Sequence, residues 1–483
     1  MSYLDLLKLA APEAVVVLTA LVVLALGLGS KQGRVLSGIV AAVGLIAAGA
    51  TVFTLPDDAT LFGGMLVINP LTSLFKIICL LLALFTVTMT RADTFSRHRA
   101  EFFALLLFAT VGLMLLVGSE ELLMIFIGLE LTGLSLYLMT AFEKSDGRSA
   151  EAGLKYFLFG STASAFTLFG LSFVYGSTAT TALAVIGEKV GTGPVSPLLA
   201  AGMVMTLVGL AFKVAAAPFH LWAPDAYQAA PIPSAAFIAS GSKVASFVVL
   251  GKMLLVAFAP VHGSAEWHAI TAGWAPILAV LAALSIVIGN LAALAQTNVR
   301  RLLAYSAVAH AGYTLLGIIA GPDGFAATLF YTTVYAATLL GAFGVVASVR
   351  AASGGDDLSH FGGLRARSPV LAACMAIFML SLSGLPPLAG FFGKFYLFSA
   401  ALGAGEKHGL LWLVVLALFG SLISLYYYLT ILKAIFVDEP AGELSPVVPA
   451  PPQRITLTVL AAVVFMLGVL PTNLVSRIIA SLH

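Results

Sequence analysis

Long apolar runs, separated by short polar or Gly- and Pro-containing connections, occupy the sequence from end to end. They cover residues 12–30, 33–54, 68–90, 101–118, 120–142, 153–176, 198–222, 232–258, 276–295, 301–320, 324–350, 369–400, 409–436 and 454–473. About 20 apolar residues suffice to cross the hydrocarbon core of a bilayer as a helix. A helix also satisfies every backbone group without help from water. The pattern therefore predicts an all-α integral membrane protein of about fourteen transmembrane helices. Connections such as Thr54–Thr60, Gly191–Pro197 and Gly321–Gly324 hold the residues that end helices. The longest connection is Asp438–Gln453, and no stretch is left for a water-soluble domain.

Composition agrees with the pattern. Of 483 residues, 60% are hydrophobic and 10% charged, whereas a soluble domain carries about 25% charged residues. A soluble enzyme is excluded. The net charge of +2 gives no reason to expect nucleic-acid binding. Cys79 and Cys374 lie singly in apolar runs, so neither a disulfide framework nor a metal site is expected. The N-terminal stretch has acidic residues ahead of its apolar run and no small-residue cleavage site, and reads as a retained first helix.

The count of spans decides which loops share a side, so it can be tested against the positive-inside bias. Odd-numbered loops hold Lys31, Arg34, Arg91, Arg97, Arg99, Lys144, Arg148, Arg300, Arg301, Arg350, Arg365, Arg367, Lys433 and Arg454, while the other side holds only Lys8, Lys189, Lys407 and Arg477. The separation puts both termini on the outer, periplasmic side. One missed helix would have scrambled every later loop.

Six basic residues remain, all lysines inside apolar spans: Lys76, Lys155, Lys213, Lys243, Lys252 and Lys394. A desolvated lysine can give up its proton, whereas arginine effectively cannot. Among the acids, only Glu130 sits near the middle of a span. Lys76, Lys155 and Lys252 are close enough to helix ends to reach the headgroups. Lys243 lies about 18 Å into its span from Pro231, too deep for that. Pro218 in span seven and the pair Pro386–Pro387 in span twelve break the helices that carry Lys213 and Lys394. The missing N–H groups free the carbonyls of Val214, Leu382 and Ser383. Unpaired backbone at membrane depth is tolerated only where it is buried in protein or lines water.

The two breaks are five spans apart, and an odd offset reverses membrane direction. Spans 4–8 and 9–13 thus read as two inverted five-helix repeats, a layout that points to a transport site. The expected parts are a three-helix segment (1–95), a first repeat (96–260), a second repeat (261–437), and a loop with the last helix (438–483). His310 in span ten holds the repeat position matching Glu130. Trp222, Tyr227 and the run Tyr426–Tyr428 are expected to be interfacial or packing aromatics.

These residues carry a resemblance. GLAFKVAAAPFHLWAPDAYQAAPIPSAAFIASGSKVASF (Gly209–Phe247) is similar to the proton-conducting signature of antiporter-like membrane subunits. Such subunits occur in respiratory NADH:quinone oxidoreductase (complex I), membrane hydrogenases and multisubunit sodium/proton antiporters. GLPPLAGFFGKFYLF (Gly384–Phe398) and the stretch Lys155–Thr180 resemble subunit N of complex I most closely. A sister resembling subunit M would place glutamate where Lys394 stands, and one resembling subunit L would be longer.

The resemblance implies proton translocation with Glu130 and Lys213 as a coupled pair, Lys243 as central relay and Lys394 serving the second half-channel. His310 would connect them, with His220 and Lys155 as further connectors. It also implies no cofactor in this chain: flavin, iron–sulfur clusters and quinone belong to partner subunits, with subunits M and K as neighbours. The high Ala and Gly content and the lack of a targeting segment point to a bacterial inner membrane. A carboxylate approaching an ammonium holds its proton in place, and one withdrawing lets it go. Two pKa units are worth about 2.7 kcal/mol, against about 2.3 kcal/mol per charge per 100 mV of membrane potential. Two other readings stand beside this one: a subunit of a cation/proton antiporter, and a non-conducting membrane scaffold whose lysines merely pair with acids.

Overall fold

The computed structural model describes residues 3–29, 31–90, 98–405, 409–439 and 446–482, with side chains from 6–29 and 36–90 in the first two stretches. Arg91, Arg97 and Lys407, and the side chains of Lys31 and Arg34, lie outside the described residues. Among the described residues, eleven helices are long and apolar enough to cross a membrane, and three shorter apolar ones, Leu36–Val52, Pro197–Lys213 and Pro369–Ser383, complete the fourteen expected spans.

The repeat is visible in helix lengths. Spans four and five, Arg99–Val117 and Leu122–Thr140, have 19 residues each, and their counterparts nine and ten, Trp274–Leu294 and Val299–Ile319, have 21 each. Spans six (Gly147–Thr178) and eleven (Pro322–Ser353) are both 32 residues long. Spans seven and twelve are broken, into Pro197–Lys213 with Trp222–Ala229 and into Pro369–Ser383 with Ala389–Gly403. Spans eight (Ile232–Ala257) and thirteen (Leu411–Phe436) have 26 residues each. The peptides Ala217–Pro218 and Pro386–Pro387 are cis.

Two compact units form. The first comprises Met1–Leu210, Gly241–Val261 and Ser481–His483. Here helices approach closely through small residues, as membrane helices do in the absence of a hydrophobic drive between them. A methyl group on Gly112 of span four would fall 2.7 Å from the backbone nitrogen of Thr132 in span five. One on Gly170 of span six would fall 2.6 Å from that of Thr206 in span seven. A small antiparallel hairpin, Ala59–Leu61 with Leu66–Ile68, follows span two. It is tied to the turn after span four by Val67 N–H donating to Gly118 O (2.7 Å) and Glu120 N–H donating to Gly64 O (2.8 Å). This hairpin lies in what the hydrophobic pattern reads as plain connection: three-residue strands are too short to leave a periodicity.

The second unit comprises Ala211–Ser240 and His262–Ala480. The apolar stretches of spans ten and eleven are almost wholly buried in it. Arg300 and Arg301 open span ten and hold the C-terminal end of the broken span seven. Arg300 donates to the carbonyl of Ala230 at 2.8 Å, and Arg301 to Asp225 at 2.8 Å and Gln228 at 3.1 Å. Arg300 is buried and ion-paired with Asp356, which also accepts from Asn298 at 2.7 Å and Arg350 at 3.0 Å.

Candidate proton path

Glu130 projects from the middle of span five and accepts a hydrogen bond from the hydroxyl of Ser164 in span six. Tyr137, two turns further along the same helix, lies within electrostatic range of it. Lys243 is 3% exposed and is the first residue after a π-helical turn, Ile238–Ser242, in a span that is buried over all but its ends. A second π-helical turn, Met253–Ala257, follows Lys252 directly. π-turns release backbone groups from the regular ladder and concentrate at functional sites; here each abuts a buried lysine. Nothing in residue spacing foretells them, because one extra residue per turn leaves the apolar pattern of a wholly buried helix unchanged.

Lys155 is not gathered with these groups. Its side chain is 43% exposed and pairs with Glu151 one turn earlier at 2.7 Å. Lys76 and Lys252 correct the headgroup reading in the opposite sense. Both are buried, Lys76 against Glu13 at 2.8 Å and Lys252 against Glu120 at 3.3 Å.

Lys213 is buried and is the last residue of the first half of span seven. The break that follows satisfies its own backbone. Ala216 N–H returns to Ala211 O at 2.9 Å, Ala217 N–H donates to Ser285 Oγ at 2.8 Å, and the Trp222 indole N–H donates to Phe212 O at 3.2 Å. Ala215 takes φ +56° there, in the left-handed region that L residues disfavour. Trp222 and Tyr227 are buried, so they pack inside the protein and do not sit at an interface with lipid headgroups. His220, inside the break, has its ring 6.5 Å from Tyr305, and its Nδ1 has no hydrogen-bond partner among the described residues.

Lys394 is the most fully defined of the row. Its ammonium donates to the carbonyl of Ser383 at 3.1 Å and to Ser421 Oγ at 2.8 Å. The Ser383 carbonyl is one of the two that Pro386 and Pro387 free. Lys394 Nζ also lies 5.3 Å from the ring centre of Tyr313. From there a buried polar chain continues. Asn290 Nδ2 donates to Tyr313 OH at 2.9 Å, and Tyr427 OH donates to Asn290 Oδ1 at 3.0 Å. The rings of Tyr427 and Tyr428 are 4.6 Å apart. Tyr428 OH bonds both Ser306 and, at 2.9 Å, His310 Nε2, while His310 Nδ1 bonds the Tyr331 hydroxyl.

The tyrosine run divides between the two expected roles. Tyr427 and Tyr428 are buried and hydrogen-bonded, and only Tyr426 faces outward. A signal for them exists in the sequence. Ser421, Ser424 and Tyr428 recur at helical spacing on span thirteen, as do Ser306, His310 and Tyr313 on span ten, giving each apolar helix one polar stripe. Among the described residues no cluster of metal-ligating side chains occurs.

Residues 119–424 match the family described as NADH:quinone oxidoreductase/Mrp antiporter, TM. The chain is 46% identical to NADH-quinone oxidoreductase subunit N 2 of Acidobacterium capsulatum, over 99% of both chains. It is 39% identical to NADH-quinone oxidoreductase subunit N of Moorella thermoacetica, over 90% of this chain and 89% of that one. Among solved structures it is similar to a chain of respiratory complex I from Thermus thermophilus, with 34% identity, TM-score 0.81, and coverage of 96% and 98%. A chain of the Mrp complex from Dietzia sp. gives TM-score 0.85 over 99% and 97% at 22% identity, a likeness of fold alone.

Proposed function

Since this chain belongs to the subunit N family of the NADH-quinone oxidoreductases, we propose that it carries protons through the membrane arm of such a complex along Glu130, Lys213, Lys243, His310 and Lys394. The observation that carries this reading is the seat of Lys394. Its ammonium bonds a backbone carbonyl released by the break in span twelve, at the head of a buried polar chain that ends on His310. Buried amines that can gain and lose a proton, joined by hydroxyl and imidazole groups that can accept and donate one, are the parts a relay needs.

Glu130 acts as the electrostatic lever, and its distance from a lysine decides whether that lysine keeps its proton. The chain has no nucleotide-binding motif, so the driving force comes from NADH oxidation and quinone reduction in partner subunits that hold the flavin and iron–sulfur clusters. Subunits M and K are the neighbours, the membrane is the bacterial inner membrane, and both termini face the periplasm. A cation/proton antiporter would use the same fold, and the matched family description names both classes, but the antiporter chain is 22% identical and the subunit N relative 46% identical over the same share of the chain.

The test is proton uptake by vesicles containing the assembled complex. Lys213→Ala and Glu130→Ala each reduce uptake strongly, and Lys243→Leu abolishes this chain's contribution. Undiminished uptake in the first two removes the relay, and an active Lys243→Leu would make the lysines structural.

A further inference from the structure

A second buried charge cluster lies in the first unit, outside the row just described. Glu13 of span one pairs with Lys76 of span three at 2.8 Å, and Glu120, in the turn after span four, pairs with Lys252 of span eight at 3.3 Å. Both ammonium groups converge on the C-terminal end of span four, where helix carbonyls without partners attract cations. Lys252 donates to the carbonyl of Val117 at 3.0 Å, and a methyl group on Gly118 would fall 3.3 Å from Lys76 Nζ. The two lysines lie within electrostatic range of each other.

Three features separate this cluster from a pair of structural salt bridges. A buried ion pair repays desolvation only when its geometry is good and further hydrogen bonds complete it. Here, beyond their mutual contact at 2.8 Å, Lys76 Nζ and the Glu13 carboxylate oxygens have no further hydrogen-bond partner among the described residues. All four groups are lysine or glutamate, which can change protonation, and none is arginine. Finally, the cluster grades from closed to open, with the Lys252 side chain 4% exposed and that of Glu120 33%. The backbone of Glu120 is fixed on both sides, its N–H donating to Gly64 O at 2.8 Å and its carbonyl accepting from Leu183 N–H at 3.0 Å. The turn between spans four and five is an even-numbered loop, on the same side of the membrane as the N-terminus.

We propose that Glu13, Lys76, Lys252 and Glu120 form a proton-release site through which the first half of the chain discharges to the side of the N-terminus, separately from Lys394. This rests on Lys243 being a proton carrier. Lys252 stands nine residues beyond Lys243 on the same buried helix, each lysine beside its own π-turn. In the release step an N–H bond of the Lys252 ammonium breaks as an O–H bond forms on the Glu120 carboxylate. The carboxylic acid then passes the proton to water, and the neutral amine is reprotonated from the Lys243 side. Lys76, held by Glu13, places a second positive charge in range of Lys252, so the state with both lysines protonated is the costlier one.

The experiment is the proton yield per NADH oxidised by the assembled complex in proteoliposomes, comparing Lys252→Arg, Glu120→Gln and Lys243→Ala at equal complex content. Arginine keeps the charge and the ion pair but cannot release a proton. The release site predicts that Lys252→Arg and Glu120→Gln each lower the yield, by a share of what Lys243→Ala loses, because Lys243→Ala also stops the protons bound for Lys394. Either of the two at wild-type yield, with Lys243→Ala impaired, overturns the release site alone. Wild-type yield in Lys243→Ala overturns the relay beneath it and the release site with it.

Discussion

Lys394 and Ser383 meet across the break in span twelve, the ammonium of one donating to the main-chain carbonyl of the other at 3.1 Å. Eleven residues separate them, and an unbroken helix would use that carbonyl internally and hold the two apart by about 16 Å. The break thus creates the lysine's binding partner and brings it within reach. A charge at the bilayer centre costs about 2.5–3.5 kcal/mol on insertion scales, and the carbonyl with the Ser421 hydroxyl offsets part of that without a counter-charge that would trap the proton.

Lys394→Arg and Lys394→Met should therefore behave alike. Arginine preserves the positive charge and methionine preserves the volume, but neither can cycle a proton. Both are expected to slow proton delivery by about 100-fold or more, the scale on which a positioned acid–base group contributes, while the complex still assembles. Proton uptake by vesicles, normalised to complex content, measures this. Normal uptake in the arginine variant would make Lys394 a fixed charge.

Tyr428→Phe isolates the polar chain. The substitution keeps the ring, and with it the packing against Tyr427, but strips a partner from both Ser306 and His310 Nε2. Leaving such buried groups unsatisfied costs about 1–3 kcal/mol, so the thermal midpoint of the detergent-solubilised complex should fall modestly. If the tyrosines conduct, proton uptake falls much further than stability does, and Tyr427→Phe, which cuts the bond to Asn290, has the same effect. A fall in midpoint with uptake intact would confine Tyr428 to packing.

The fourteen spans and both proline breaks were legible because each follows from local chemistry: twenty apolar residues, or a missing N–H. Prolines 386 and 387 even named the carbonyl that Lys394 uses. The carboxylates of Glu13 and Glu120 were hidden for a different reason. Each lies near a helix end in sequence, where exposure is the ordinary outcome, and only the packing of spans one, three, four and eight sets it against a buried lysine. Lys155 shows the converse. Its place near a helix end allowed it to reach the headgroups, and an adjacent Glu151 and an outward helix face do leave it exposed. Burial in a membrane bundle depends on which face of a helix meets its neighbours, and a uniformly apolar helix carries no moment to reveal it.

Asp356 makes stability depend on pH. It lies beyond span eleven, outside the membrane-crossing helices, beside Arg300, Arg350 and Asn298. Burial by itself would raise its carboxyl, but the Arg300 guanidinium, the Asn298 hydrogen bond and Arg350 outweigh burial and hold it below the ordinary carboxylate range. The unfolded chain binds this proton more readily, at about pH 3.9. The network's contribution is therefore complete above that pH and is lost as pH falls through the lower folded-state value. Asp356→Asn removes the carboxylate from buried Arg300 and should cost on the order of 3 kcal/mol at pH 7. It should also flatten the acid limb of the thermal-midpoint curve below about pH 4. An unchanged acid limb would assign the acid lability to other carboxylates, and an unchanged midpoint at pH 7 would mean that the Ala230 carbonyl alone suffices to hold Arg300.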